Sequence, residues 1–230
     1  CYAVADIGAD SITACDSVLI STSAITNGSY LWSTSNVSTS GNLAIGDFYQ
    51  GGVICWLDPN DNSNGLITSI HHLHTAQWGC VGSTILGADG TSIGDGMQNT
   101  TDILSGCSQN SIAAYACANY TFTYNGIIYN DWHLPSKNEL FEMYLNRGVI
   151  SSTAISYGGD NIPNWSHWSS SEAGSNIAYE CGFNSGSQGQ ANKTSNNSVR
   201  AVRYFSNINT DTTNSVMVST SGWNYVTVTD

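Results

Sequence analysis

Residues 129–145, YNDWHLPSKNELFEMYL, decide the fold of this chain. Trp132 is typical of a strand end, and Pro135 predicts a turn, because proline fixes its own φ and disfavours helix in the residue before it. Ser136 and Glu139 have the spacing of a capping box, in which the serine hydroxyl caps the first turn and the glutamate bonds back to the serine N–H. Three residues then recur at helical spacing and predict one buried face: Leu140, Met143 and Tyr144.

The rest of the chain alternates short apolar runs with polar turns, which indicates an α+β arrangement. Residues 99–118 are helical in pattern with an interruption near Gly106, and the capped helix covers residues 137–147. Residues 87–96 are polar and rich in glycine, which is typical of a loop. The predicted strands cover residues 52–57, 66–70, 126–132, 165–170, 177–183 and 199–205.

Six segments, taken in order, resemble a single bacterial family. They cover residues 49–58, 65–67, 77–103, 129–145, 167–172 and 199–205. The family is the domain at the C-terminus of the Legionella-type collagen-like adhesins, and the resemblance extends over residues 46–205. It implies a C-type-lectin-like α+β domain with two main helices and a mixed or antiparallel sheet. It also implies a surface-exposed, non-enzymatic role, and it identifies no ligand.

Residues 1–45 and 206–230 lie outside the resemblance and are interpreted as β-strand extensions of the domain. Alternating or β-branched runs predict short strands in them, and the last two form a hairpin around Ser221-Gly222. These runs cover residues 18–22, 30–33, 215–219 and 225–228. Such segments either fold back on their own domain, which is the commoner arrangement, or add to the sheet of a neighbouring subunit. The second arrangement predicts a fibre subunit.

Charge is scarce and one-sided. Five Lys and Arg stand against 17 Asp and Glu, so the net charge is −12 although only 10% of residues are charged. A surface made mainly of Ser, Thr, Asn and Gly is more typical of an extracellular β-rich protein than of a cytosolic enzyme. An acidic chain gains little from counterion release, which excludes nucleic acids and sulfated polysaccharides as principal ligands.

Three basic residues, Lys193, Arg200 and Arg203, lie close together in the sequence. They either form a local basic patch or, as we prefer, at least two of them pair with carboxylates inside the fold. The resembled adhesins bind sulfated glycosaminoglycans through basic surfaces. That function is therefore not expected of this chain.

Seven scattered cysteines without a CxxC motif favour disulfides in an oxidising compartment over zinc ligation. The predicted pairs are Cys107–Cys117, Cys1–Cys15 and Cys55–Cys181. Cys80 remains as the odd thiol, free or intermolecular. A mature N-terminal cysteine is also what bacterial lipoprotein processing leaves, although pairing of Cys1 is preferred.

The stretch DPNDNSNG places Asp58, Asn60 and Asn62 at alternate positions, a pattern of oxygen ligands that suits a hard cation such as calcium. The bidentate glutamate that ends an EF-hand loop is missing. A hairpin turn is the preferred interpretation, because Asn, Asp, Pro and Gly are turn formers. No cofactor is expected, and calcium is retained as the alternative.

His71, His72 and His74 form a dense cluster that raises the alternative of zinc or copper. Cys80 is the nearest residue that would extend the ligand set. Partly exposed loop histidines are the preferred interpretation.

Aromatic residues are the best candidates for ligand contact. Tyr157, Asp160 and Trp165 lie near a Gly-Gly loop, where aromatic faces beside Asn and Asp suit stacking on sugar rings. Trp132 and Trp168 are expected in the core instead. The Glu-Pro-Asn and Gln-Pro-Asp calcium motifs of sugar-binding lectins do not occur in the sequence.

The sequence lacks the GxSxG and HExxH motifs and any convincing pair of carboxylates, so no enzyme is predicted. No apolar run approaches 18 residues, so no segment is expected to span a membrane. We expect an extracellular or cell-surface protein that acts by adhesion to a glycan or protein, or by self-association. The alternatives are a structural fibre subunit joined through terminal strands and a calcium-dependent glycan-binding module.

Overall fold

The computed structural model describes residues 43–206 and, outside them, four short strands near the two ends of the chain. The chain divides into two compact units. Asn42–Asn207 form the larger unit, and Cys1–Gly41 together with Ile208–Asp230 form the smaller one.

The described elements are short strands and four helices. The strands are β1 (Ala3–Ala5), β2 (Val18–Ile20), β3 (Leu31–Trp32), β4 (Phe48–Tyr49), β5 (Gly52–Asp58), β6 (Asp61–Thr68), β7 (Thr75–Ala76), β8 (Phe122–Tyr124), β9 (Ile127–Tyr129), β10 (Ser166–Gly174), β11 (Ile177–Gly182), β12 (Ser187–Asn192), β13 (Asn197–Ser198), β14 (Val202–Ser206) and β15 (Val216–Met217). The helices are α1 (Asp95–Gly106), α2 (Ala113–Ala118), α3 (Lys137–Leu145) and α4 (Arg147–Ser156). The predicted α+β class is confirmed for the larger unit.

In the smaller unit, the described strands form two separate pairs. β1 is parallel to β2, with Ala3 opposite Val18. β15 is antiparallel to β3, with Val216 opposite Trp32, so a strand near the C-terminus pairs with one near the N-terminus. The predicted hairpin around Ser221-Gly222 lies outside the described residues.

The larger unit is built on two sheets. One has the strand order β12-β11-β10-β13-β7 and the other β14-β6-β5-β4. All pairs in them are antiparallel except β10 with β13, where His167 lies opposite Ser198. The first sheet is therefore mixed and the second antiparallel, which agrees with the predicted mixed or antiparallel arrangement. The C-type-lectin-like topology stays a prediction.

The capping box of α3 is confirmed. The Ser136 hydroxyl accepts a hydrogen bond from the Glu139 N–H, and the Glu139 carboxylate accepts one from the Ser136 N–H at 2.8 Å. Leu140 and Met143 are buried, and Tyr144 is half-buried. The helix therefore packs through the face that the sequence predicted.

Helices α1 and α2 confirm the predicted helical region and its interruption after Gly106. Helix α4 was not predicted. It contains a Ser-Ser-Thr run, which has weak helix propensity, and it buries Ile150 and Ala154 against the rest of the unit. Packing rather than local sequence therefore accounts for this helix.

Two apolar clusters form the core, and strand β5 contributes to both because its neighbouring side chains point to opposite faces. Val53 belongs to one cluster and Ile54 to the other, and both are fully buried. Trp132 and Trp168 are buried, as predicted. The Trp168 indole N–H donates to the Ala76 carbonyl at 2.9 Å, which satisfies its polar atom inside the core.

The predicted disulfide pairs of the described cysteines are wrong. Cys80, predicted to be the odd thiol, is bonded to Cys107, with the two Cα atoms 5.8 Å apart. Cys117 lies on the buried face of α2, and its thiol is free.

Cys55 on β5 and Cys181 on β11 are also free and buried, and their strands belong to different sheets. The Cys55 thiol donates instead to the Leu66 carbonyl on the neighbouring strand. The predicted pair Cys1–Cys15 lies outside the described residues.

Candidate functional site

The segment that follows α4, residues 157–165, is mostly exposed and carries all three predicted ligand contacts. Tyr157 is the C-cap residue of α4 and is 47% exposed. Its ring stacks on Phe48, with 3.8 Å between the ring centroids, and meets Tyr124 edge-on. These three rings form an aromatic surface at the start of the segment.

Asp160 fixes the middle of the segment to residues 69–74. Its carboxylate accepts a hydrogen bond from the His72 N–H at 3.1 Å and lies 3.3 Å from His71 Nδ1. Its own N–H donates to the Ile70 carbonyl at 2.9 Å. The hydrogen bond from the His72 backbone, with smaller help from His71, holds the pKa of Asp160 below its usual value.

Trp165 ends the segment and is 63% exposed, as predicted. Its carbonyl accepts hydrogen bonds from the Phe183 N–H at 3.1 Å and from His167 Nδ1 at 3.0 Å. The backbone is therefore anchored while the indole faces solvent. Among the described residues, no hydrogen bond or ring contact joins Trp165 to Asp160 or Tyr157, so the three form a row of separate contacts rather than a closed pocket.

The predicted cation loop is the turn between β5 and β6. Asp58 accepts a hydrogen bond from the Asn60 N–H at 2.8 Å, and Asp61 accepts from the Ser63 N–H at 3.0 Å. The carboxylates thus bond within the turn, and Asn62 is exposed. Within residues 43–206, no three His, Cys, Asp or Glu side chains are grouped so that they could hold a metal ion. Calcium binding by Asp58, Asn60 and Asn62 stays a prediction.

Lys193 and Glu172 form a fully buried ion pair. The Lys193 ammonium also donates to the Ser83 carbonyl at 2.8 Å and lies 4.4 Å from the ring centroid of Trp78. Glu172 accepts the Ile85 N–H on both carboxylate oxygens. The pair therefore ties β10 and the end of β12 to the loop that follows Cys80.

Arg203 and Arg200 also bind groups of the fold itself. Arg203 binds Asp131 through two nitrogens, at 2.6 and 3.0 Å. Arg200 donates to the carbonyls of Ser69 and Ile70 at 2.8 and 3.0 Å. The prediction that at least two of the three clustered cations pair with carboxylates is confirmed, by Lys193 and Arg203.

The two remaining cations lie against aromatic rings. Lys137 lies over Tyr179 and Arg147 over Tyr144, at 4.6 and 4.1 Å from the ring centroids. Both are half-buried, so none of the five basic side chains of the chain is exposed. The exposed charges of residues 43–206 are all acidic.

A buried polar cluster lies around Glu139, and the sequence did not predict it. Besides capping α3, Glu139 accepts hydrogen bonds from the Gly94 N–H at 2.9 Å and the Tyr204 hydroxyl at 2.6 Å, and His133 Nε2 lies 3.6 Å away. Burial opposes its charge, but His133, Tyr204 and the Ser136 N–H outweigh burial and lower the pKa of Glu139. The capping box in the sequence pointed to Glu139, but it did not indicate burial, because a capping glutamate is not usually expected to be buried.

An open cavity of about 280 Å³ lies beside the disulfide. Its lining combines Leu104 and Tyr115 with the polar side chains of Gln109, Asn110 and Asn119. No carboxylate, imidazole or ammonium group lines it. The lining offers hydrogen bonds and apolar contact to a ligand, and it supplies no group that titrates near neutral pH.

Comparison with protein-family models gave no match, and comparison with curated proteins gave none either. Among the described helices, none has the length and apolarity needed to cross a membrane. The resemblance to the collagen-like adhesin domain therefore stays a prediction that rests on the sequence segments alone.

Proposed function

We propose that this protein is a non-enzymatic extracellular bacterial surface protein that acts by adhesion or self-assembly. The observation that carries the proposal is the placement of charge. None of the five basic side chains is exposed, and the buried carboxylates Glu139 and Glu172 accept hydrogen bonds from within the fold. What the larger unit displays is a polar and acidic surface with exposed aromatic groups, which is suited to contact with other molecules.

The disulfide supports an extracellular location. Cys80 is half-buried and Cys107 is buried, and their disulfide stabilises the loop after Trp78. Such bonds persist in oxidising compartments. The resemblance to surface adhesins agrees with this location.

Adhesion is assigned to residues 157–165. Trp165 and Tyr157 present exposed aromatic faces on a backbone that is anchored at Asp160 and at the Trp165 carbonyl. A rigid backbone lowers the entropic cost of binding, and aromatic faces stack well on the apolar faces of sugar rings. A neutral glycan or a polar protein surface is therefore the preferred ligand.

A glycan array probed with the whole chain tests this assignment. We expect binding of uncharged or cationic glycans, loss of at least about tenfold in affinity for Trp165→Ala, and little change for the control Tyr115→Ala, which removes an exposed ring beside the disulfide. Silence of the folded protein on the array, or equal loss in both variants, contradicts the assignment. Binding that requires added calcium and is lost in Asp58→Asn favours the calcium-dependent glycan-binding module instead.

A structural fibre subunit is the second candidate, and the smaller unit favours it. Its described strands form pairs of only two strands each, and an isolated two-stranded sheet is marginally stable in water. Pairing of β15 with β3 of another copy in place of its own would join subunits through the same contacts, as in β-strand addition.

Size-exclusion chromatography separates the two candidates. The fibre candidate predicts a series of multimers that disappears when residues 208–230 are deleted, whereas the adhesin candidate predicts one discrete species. Reductant in a parallel run identifies multimers that depend on Cys1 or Cys15. A discrete species in every condition contradicts the fibre candidate and leaves the adhesin assignment to the glycan array.

A further inference from the structure

Three imidazoles form a row from the surface of the larger unit into its interior. His74 is exposed, His72 is half-buried, and His167 on β10 is fully buried. The ring centroids are 6.3 Å apart between His74 and His72, and 6.4 Å apart between His72 and His167. The row connects solvent with a residue that is otherwise sealed in the core.

The buried end of the row is built for a neutral imidazole. His167 Nδ1 lies 3.0 Å from the Trp165 carbonyl, which can only accept, so Nδ1 carries the proton. The ring packs on Phe183, with 4.1 Å between the ring centroids, and Nε2 is buried without a partner among the described residues. His72 Nε2 and the hydroxyl of Ser198, which pairs with His167 across the sheet, are buried and unpartnered in the same way.

The charged and titratable groups around His167 offer little compensation for a second proton. They are His72, with His71 and His74 beyond it, Cys181 on the neighbouring strand, and Arg200, which itself lies near Asp160, Tyr120 and Cys55. Burial lowers the pKa of His167 to about 3, and His72 and Arg200 add to this effect. Asp160 is the one anion among these groups, and its carboxylate is already engaged by residues 71 and 72.

The segment that covers His167, residues 69–74, is held by hydrogen bonds to backbone groups. Arg200 donates to the Ser69 and Ile70 carbonyls, the Asp160 N–H donates to Ile70, and the Leu73 N–H donates to the Val199 carbonyl at 2.9 Å. Gly159 lies so close to Ile70 that a Cβ at this position would be 2.4 Å from the Ile70 carbonyl oxygen. The junction between residues 69–74 and 157–165 is therefore closely packed. It depends on the buried Arg200 cation, which repels any positive charge added nearby.

We propose that these histidines make the junction an acid-operated latch, which is closed in neutral solution and releases residues 69–74 and 157–165 in mildly acidic solution while the β5–β6 hairpin stays folded. A proton that reaches His167 along the row leaves a charged imidazole beside Arg200 without an acceptor. Opening of the segment hydrates both charges, which removes the cost of keeping them buried. The inference adds regulation by pH to the proposed adhesion, on which it rests. The released residues include the aromatic segment assigned to ligand contact.

One contact opposes the opening. A protonated His71 attracts Asp160, but both side chains are substantially exposed, at 39% and 54%. Such exposed pairs contribute little to stability. The fully buried charge at His167 therefore dominates.

Hydrogen exchange measured by mass spectrometry on the whole chain tests the latch, with rates corrected for the intrinsic effect of pH. Between about pH 7 and about pH 4.5 we expect amide protection in residues 69–74 and 157–165 to fall at least about tenfold, and to be lost while β5 and β6 remain protected. In His167→Gln, which cannot gain the charge, most of this fall disappears. In the matched control His71→Gln it remains.

Nuclear magnetic resonance of the wild-type protein supplies a second measurement that needs no variant. The ring signals of His167 should report a neutral imidazole while residues 69–74 stay protected, and a charged one as protection is lost. Three results overturn the latch: protonation of His167 while the segment stays protected, loss of protection in β5 and β6 together with the segment, or the same fall in His167→Gln.

Discussion

At the scale of single residues, the few basic side chains of this chain contact groups within the fold. Lys193 is fully buried, and the ammonium meets a carboxylate, a carbonyl and an aromatic ring. An ion pair of this kind stabilises little relative to well-packed apolar residues, but removal of one partner leaves the other charge buried alone. The pair therefore makes the two residues mutually dependent.

We expect Lys193→Met to lower the free energy of unfolding by about 3–5 kcal/mol, because Glu172 is left charged and buried. The double variant Lys193→Met/Glu172→Gln should lose less than the single one, since no lone charge remains. Denaturant unfolding at neutral pH measures both. Lys137→Met is the matched control, and it should cost at most about 1 kcal/mol because Lys137 is only half-buried. Equal losses for Lys193→Met and Lys137→Met would refute the dependence.

At the scale of elements, local signals were predictive where the sequence itself supplies the bonding partners. The capping box of α3 was predicted because both of its partners lie within three residues of each other. Helix α4 was missed because its formation depends on burial of Ile150 and Ala154, which no local signal reveals. The disulfide was mispredicted for the same reason, since Cys80 and Cys107 are 27 residues apart and are brought together by the packing of α1.

The candidate site was predicted only in part. Exposure of Trp165 followed from the preceding Pro163 and Asn164, whereas burial of Trp132 and Trp168 followed from the family resemblance. The histidine row and Arg200 come from three distant segments, and the sequence alone does not place them together.

The cap of α3 should be worth about 1 kcal/mol. We expect Ser136→Ala to lower the free energy of unfolding by this amount or more, because the buried Ser136 hydroxyl also donates to the Ser92 carbonyl at 2.7 Å. Ser152→Ala, in the exposed face of α4, serves as the control and should be neutral or slightly stabilising. Thermal unfolding followed by circular dichroism compares them, and a neutral Ser136→Ala would show that the cap is dispensable.

The disulfide closes a 27-residue separation, for which loop entropy gives about 3–4 kcal/mol. We expect Cys80→Ser/Cys107→Ser to unfold at clearly lower denaturant concentration than the wild type in the absence of reductant. With reductant present the two should converge. Cys117→Ser is the control. It keeps the Cys80–Cys107 bond, so reductant should lower its stability as much as it lowers that of the wild type. A wild type that ignores reductant would contradict the assigned bond.

At the scale of the whole molecule, acid should be the main destabilising condition. The folded state lowers the pKa of His167 from 6.5 to about 3, so its contribution is complete above pH 6.5 and declines as the pH falls toward 3. Glu139 has a pKa below its usual 4.5, and its contribution has the same sign at lower pH. In both cases the unfolded chain binds a proton at pH values at which the folded chain does not.

We expect the free energy of unfolding to be flat from about pH 8 to about pH 6.5 and then to fall by at least about 1.4 kcal/mol for each pH unit, as His167 and, in part, His72, whose pKa burial also lowers, take up protons on unfolding. Denaturant titrations across this range measure the slope. His167→Gln should reduce the slope of the profile above about pH 4.5, where Glu139 is still charged. A profile that rises on acidification would contradict the assignment of both groups.

The inward placement of the cations also determines how the chain meets digestive enzymes. Trypsin cuts after lysine or arginine, and the first such residue is Lys137, with none after Arg203. Each of the five cleavage points is packed against a ring, a carboxylate or backbone carbonyls. The native protein should therefore resist trypsin-like proteases, and a tryptic digest of the unfolded chain should yield its first 137 residues as one fragment.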